Sequence, residues 1–497
     1  MPIRSTRLLL LLCIALTAVC ESQAATFYVR NGGDDSADGR SHGTAWASLG
    51  RVAQHKFGPG DQILLHSGDT WSGEQLRVDW SGTVSNYTVI GAYHLRNGVE
   101  TRGVSGSKPT ISGGKRLPRD RHQGLIEITG DYVRIENLTL VDSGGRGVSL
   151  RGADFAQVVN MTTRGTYDSG IKSNGSRSVL VENCFVTDSN RAHLDGASAW
   201  GAAIVGVESP RFTVRGSTVT KVYGEGINAN HGSHESLIEG NRVFGARALG
   251  IYVDASRDVT IRRNMVLGIS DPAFWRSGDN VGSGIVVNNE KYHYKGYGGD
   301  LDIGVQSTNV KVYANLVAYT QQGIAFWGNM PESRFDGAEI YNNTLVDNTV
   351  QFDPGTQPKP GASFSNNILM SVSPGTRDVA RTDLRGMSAS NNYLSQGDPG
   401  GDFSHPGNRY SGLELVRMRG WREIDDLMAV TWADFAPKGS AVTGAGDSGV
   451  LARASAKHDF DRDFRAKPHN QPIDIGAVRS GALKVPKPPG GLSVRPR

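Results

Sequence analysis

The residues able to do chemistry fall at repeating places in the middle of this sequence. A Gly-Ile pair recurs at Gly170-Ile171, Gly226-Ile227, Gly250-Ile251, Gly284-Ile285 and Gly323-Ile324, and related strands begin at Gly147-Val148 and Ala203-Ile204. If each Ile points inward along a strand, alternate residues after it point outward. One outward file then reads Lys172, Val205, Asn228, Tyr252, Val286, Ala325, and the next reads Asn174, Val207, Asn230, Asp254, Asn288, Trp327. Glu208, His231 and Glu290 follow at the edge, and Glu225 precedes the second Gly. Stacked strands lie roughly 4.8 Å apart, so neighbours in a file can act on one ligand unit.

Three chemistries suit this set. Lys172, Tyr252 or His231 could take a proton from carbon while Asn228 or Asn230 bonds the adjacent carboxylate, which is β-elimination on a uronate polymer. Paired carboxylates, Glu225 with Asp254 or Asp254 with Glu290, suit hydrolysis of a glycosidic bond. The oxygens of Glu208, Asp254, Asn288 and Glu290 make Ca²⁺ a candidate cofactor. Asn174 and the aromatic residues Trp200, Trp275, Trp327 and Tyr292 are candidates for contact with sugar rings. Each residue also has a plainer role: Lys172 as a solvated surface lysine, Asp254 as a turn cap, His231 as part of a turn, and the aromatics as packing beneath loops.

The elements positioning these residues announce themselves by period. Asn137, Asn160 and Asn183 are spaced by 23, as are Asn241 and Asn264, and the row continues at Asn315, Asn343, Asn367 and Asn392. Such self-similarity means stacked units, each too small to bury its own apolar face. Short β-branched runs punctuated by Gly and Asn make those units strands, so the expected fold is all-β, a parallel β-helix. Asn tolerates the left-handed turn conformation, and its amide can bond the next coil's Asn, so this row is read as architecture. Insertions at 188–200, 270–283 and 291–309 are expected to wall the two files into a groove.

The 497 residues, with 64 Gly and 20 Pro, suit one solenoid made of turns and short strands. Arg4 and Arg7, an apolar run from residue 8 to 19 and Ser22-Gln23-Ala24 predict a signal peptide over residues 1–24 and an exported protein. Cys13 and Cys20 lie in that leader, so Cys184 would stand alone as a small buried hydrophobe. The net charge of +4 is compatible with an anionic polymer, no Lys/Arg block marks a nucleic-acid partner, and no later stretch is long enough to span a membrane. A monomer is expected. Residues 25–122 are assigned to an N-terminal cap and first coils, with a helix over 44–55 burying Trp46, Leu49 and Ala53. Residues 123–370 are the regular coils, 371–480 an irregular cap with a helix over 413–428, and 481–497 a disordered tail.

Phe27-Tyr28-Val29, the Gly/Asp-rich loop after it, the Trp-containing segment and Gly60-Asp61 resemble the opening of secreted bacterial right-handed parallel β-helix proteins. Phe435-Ala436-Pro437-Lys438-Gly439-Ser440 and Ile473-Asp474-Ile475-Gly476-Ala477 resemble their closing segment. That pectate-lyase-like superfamily of lyases, epimerases and glycosidases implies a right-handed helix with its site on an outer strand surface. The Asp-Pro-His-Asp motif associated with mannuronan epimerases is absent, and Asn230-His231-Gly232 only faintly echoes the Gly-His-Gly of polygalacturonases. The leading expectation is a polysaccharide lyase acting by β-elimination. A glycoside hydrolase, a C5-epimerase or a non-catalytic glycan-binding solenoid are the alternatives.

Overall fold

The computed structural model describes residues 24–196, 200–290, 306–415, 430–435 and 437–438. Three long sheets run its length, and in each the strands follow one another in chain order. The first begins at Thr26–Val29 and ends at Ser388–Ser390, the second runs from Thr70–Ser72 to Tyr393–Leu394, and the third from Leu76–Val78 to Arg377–Val379. The chain visits each sheet once per turn, and successive turns pair in parallel, which is a β-helix. Its strands after residue 370, at Arg377–Val379, Ser388–Ser390 and Tyr393–Leu394, continue all three sheets. Cys184 is buried as a free thiol.

Inside is a dry column. Ile126, Val148, Ile171, Ile204, Ile227, Ile251, Ile285, Ile324 and Phe352 stack one above another in register, all fully buried. Each such side chain contributes about 1.5–3 kcal/mol. The Gly before each Ile has its own cause: a Cβ on Gly226 would stand 2.2 Å from the Gly250 carbonyl, and one on Gly250 2.3 Å from Val266 Cγ1. The repeated glycine lets adjacent sheets close on the core.

Two columns share what a single Asn row was expected to do. Asn137, Asn160 and Asn183 are themselves left-handed, with φ of 63°, 50° and 53°. From the fifth of these coils the left-handed residue is Gly240, Arg263, Ala314, Asn342, Asn366 or Asn391, and the ladder Asn comes one residue later. That later column begins with Leu138, Met161 and Cys184 and turns polar at Ser217, whose N–H donates to Asn241 Oδ1 at 2.9 Å. The N–H and Nδ2 of Asn264 both donate to Asn315 Oδ1, those of Asn315 to Asn343, and those of Asn343 to Asn367. The side-chain amides of this ladder are therefore satisfied by their neighbours.

The N-terminal helix is shorter than expected, Leu49–Gln54, because Ser48 caps it by accepting from Arg51 N. Leu49 and Val52 join the core, while Ala53 stays half-buried. Trp46 is not helical. It bridges Val29, donates its backbone N–H to Tyr28 and stacks on Phe27 at 5.1 Å. Glu414–Leu415 is extended and pairs antiparallel with Pro437–Lys438; the remainder of the expected 413–428 helix falls outside the described residues, as do the leader and the tail. No helix among the described residues is long and apolar enough to cross a membrane.

Replacing Asn315 with Ala should leave the N–H of Asn264 without its acceptor and its Nδ2 with the Ile238 carbonyl alone. We expect a loss of about 2–4 kcal/mol, read from the denaturant midpoint, with the circular dichroism of the folded state unchanged.

Candidate functional site

The third sheet carries the candidate residues, and its register brings them into the two expected files. Ser149, Lys172, Val205, Asn228, Tyr252, Val286 and Ala325 are successive partners, as are Arg151, Asn174, Val207, Asn230, Asp254, Asn288 and Trp327. The chemistry is not continuous along them. Ala202, Val205 and Val207 of one strand form a small apolar cluster that divides the face in two. Lys172 and Asn174 lie on one side of it; Asn228, Asn230, Tyr252, Asp254 and Asn288 lie on the other. Three strand steps separate Lys172 from Tyr252, roughly 14 Å.

The larger group is held by a chain of bonds. Asn228 Nδ2 donates to Glu225 Oε2, drawing that carboxyl along its own strand toward the file. Asn288 Nδ2 donates to the Tyr252 hydroxyl at 2.8 Å and to Glu290 Oε1 at 3.1 Å. The backbone N–H of Glu290 donates to Asp254 Oδ1 at 2.8 Å, and His231 Nε2 stands 3.1 Å from Asp254 Oδ2. Asn329 Nδ2 also reaches Glu290, at 3.2 Å. His231 has φ 49°, so it is a turn residue, yet that left-handed turn is what aims its ring at Asp254. The Oδ1 atoms of Asn228 and Asn230 are buried and accept no hydrogen bond from any described residue. An unsatisfied acceptor of this kind awaits a donor such as water or a ligand hydroxyl.

Electrostatics sharpen the picture. Loss of solvation pushes the Glu225 carboxyl up to about 8, helped by Glu290 and Asp254, with Asn228 and Arg276 opposing. Burial, and next Asp254, raise Glu290 as well. The Tyr252 phenol is pushed far up by burial and then by Asp254, Glu290 and Glu225, so it holds its proton. Glu225 is thus a neutral acid at neutral pH beside two further carboxyl groups.

The smaller group is cationic. Burial and the neighbouring Arg146 charge lower the Lys172 ammonium, while Asp168 supports it. Asp168 would be raised by burial, but Lys172 and Arg146 hold it below the usual carboxylate range.

The remaining candidates separate by surroundings. Trp327 packs against the Tyr252 cluster and donates Nε1 to Gln322 Oε1 at 3.0 Å. Trp200 is 45% exposed, and the Arg276 guanidinium lies 5.9 Å from its ring and 5.2 Å from that of Trp327. Trp275 is half-buried and donates Nε1 to Ile269 O within its own loop. Tyr292 lies outside the described residues. Glu208 occupies a left-handed turn, φ 49°, and its carboxylate makes no bond to the Asp254 group. Of the expected Ca²⁺ ligands, Asp254, Asn288 and Glu290 meet. Among the described residues, no three His, Cys, Asp or Glu side chains are grouped to hold a metal ion. Arg276, Asn329 and Arg146 were not singled out from the sequence, whereas Asp168 is visible there because Tyr167-Asp168-Ser169-Gly170 parallels Tyr223-Gly224-Glu225-Gly226. Arg276 sits in the 270–283 insertion, which was the available signal.

Residues 123–345 match a family model described as a right handed beta helix region, and these coils carry the whole site. Similar solved structures include the PL6 family alginate lyase AlyGC, with a TM-score of 0.50 at 14% identity, covering 79% of this chain and 54% of that one. Pectate lyase Pel9A gives 0.48 at 15% identity, covering 92% and 97%. The GH136 lacto-N-biosidase from Eubacterium ramulus gives 0.46 at 16%, covering 74% and 67%. No curated protein matches. The fold is the right-handed parallel β-helix, the architecture that the sequence resemblance implied.

The raised Glu225 carboxyl links stability to pH. Its stabilisation is complete below the unfolded value of 4.5 and is lost as pH rises through about 8, because ionising the buried group costs free energy only in the folded state. Glu225→Gln should therefore flatten the fall in Tm between those limits, read by thermal scans across that range.

Proposed function

We propose that this chain is an exported polysaccharide-cleaving enzyme, and that the Glu225–Asp254–Glu290 cluster hydrolyses a glycosidic bond by acid–base catalysis. The observation carrying this is Glu225: a protonated carboxyl held by Asn228 within electrostatic reach of Asp254 and Glu290. In this reading Glu225 gives its proton to the leaving oxygen. Asp254, accepting from Glu290 N and paired with His231, is the anionic partner, acting on water or on the anomeric carbon. Tyr252 and Asn288 orient the sugar hydroxyls, Asn228 and Asn230 offer their unfilled acceptors, and the exposed Trp200 with Arg276 over its ring meets a neighbouring sugar unit. Cleavage would proceed on a monomer outside the cytoplasm.

β-Elimination on a uronate polymer is the second reading, favoured by the adjacent Asp254 and Glu290 carboxyls, whose repulsion a divalent cation would relieve. Asp254, Glu290 and Asn288 would then hold Ca²⁺, which supplies neutralisation of the substrate carboxylate. His231 would be the candidate base.

Under the first reading, Glu225→Gln and Asp254→Asn each lower kcat by about 10²–10⁴-fold with the fold intact. Activity falls as pH rises through about 8, where Glu225 loses its proton. Reducing ends accumulate without an ultraviolet-absorbing unsaturated product, and chelator leaves the rate unchanged. Unsaturated products, or loss of turnover on chelation that Ca²⁺ restores, would overturn hydrolysis in favour of elimination.

A further inference from the structure

The cationic group beyond the apolar divide has no place in the hydrolytic step. Arg146 is buried and spreads its guanidinium over Asp168 Oδ2 at 3.3 Å, Ser149 Oγ at 3.3 Å and His122 Nδ1 at 3.5 Å. His122 is half exposed, stands 3.9 Å from Asp168 and receives Arg121 Nε at 3.3 Å. Arg151 is matched by Glu127 at 2.8 Å, while Asp168 is the carboxylate shared by Arg146 and Lys172. The half-buried Lys172 ammonium makes no hydrogen bond and no ion pair with any described residue. A lysine placed beside a buried arginine, with one shared carboxylate between them, is electrostatically costly unless a further anion completes the site.

The register aligns this group with the carboxylate cluster. Lys172, Val205 and Asn228 are consecutive in one file, so Lys172 lies about 10 Å from the Asn228 position, across the apolar strand. A glycan following the direction of the file would set one unit by Glu225 and Asp254 and, beyond the buried Val205, bring a later unit to Lys172.

We propose that Lys172 and Arg146, with His122 at the rim, form a subsite for an oxyanion carried by a sugar unit remote from the cleaved bond. The shared chemistry is a carboxylate or ester sulfate accepting from the Lys172 ammonium. This rests on the reading that a glycan lies along this sheet, and it makes Lys172 a residue that selects acidic polymers.

The test is calorimetric binding to the full chain carrying Glu225→Gln, so that hydrolysis does not consume the ligand. Three probes are used: an oligogalacturonide, its carboxyl-reduced counterpart and a sulfated galactan oligomer. The oligogalacturonide or the sulfated oligomer should bind more tightly than the reduced one, and whichever does identifies the oxyanion. Adding Lys172→Met should weaken only the acidic probe, by about 10–100-fold, while Lys172→Arg keeps most of the affinity. Raising salt on the Glu225→Gln protein itself should weaken the same probe alone, a measurement independent of how the lysine variants fold. Equal affinity for acidic and reduced probes, or an acidic preference that survives Lys172→Met, overturns the subsite. Failure of the hydrolytic reading shows separately, as full turnover by Glu225→Gln.

Discussion

Along each of the three long sheets a strand pairs with the strand of the coil before it and that of the coil after it, and that constraint orders everything else. Because the pairing is parallel and in register, a residue's place in its own turn decides which residues stand above and below it. Ile227 meets Ile251 inside the column, and Asn228 therefore meets Tyr252 outside it. A shift of one residue would turn the apolar file into solvent and the polar files into the core. The dry interior and the candidate site are two sides of one registration.

The same stacking explains how so much polar surface is tolerated. Within the turns, the column from Ser217 through Asn241, Asn264 and Asn315 satisfies its amides coil by coil. On the outer face the solution is less complete. Glu290 and Asp254 raise the cost of ionising Glu225, and Asp254 that of Glu290; the structure meets this with a neutral Glu225, amides from Asn228 and Asn288, and the imidazole of His231. Unfilled acceptors on Asn228 and Asn230 remain. Strand-borne side chains locked by neighbours are a rigid foundation for chemistry, and their residual frustration is what a ligand would relieve.

The two outward files were legible because alternation has a period of two and the repeated Gly-Ile pair sets its phase. Glu225 and His231 were legible as candidates for the same reason. What escaped was longitudinal distance: a file lists Lys172 and Tyr252 together, but each intervening coil adds a strand spacing, and Val205 interrupts the chemistry. The Asn row misled in a related way. Asn137 and Asn241 have the same residue type but lie in adjacent columns, because Gly240 takes over the left-handed turn and frees the following Asn to face inward. Trp46 likewise looked helical by spacing, while its pairing with Val29 and stacking on Phe27 hold it extended.

By itself the sequence determined the coil, its period, the direction in which side chains alternate and the residues that end on the outer face. Those properties follow from local sterics and from a pattern each coil repeats, so no distant contact is needed to specify them. Tertiary structure alone decided which of those residues meet. The reach of Glu225 toward Asn228, the turn that aims His231 at Asp254, and Arg276 lying between Trp200 and Trp327 depend on side-chain directions and on loops whose paths no periodicity encodes. The raised Glu225 carboxyl depends on them too, since loss of water and the nearness of other charges exist only once the coils are stacked.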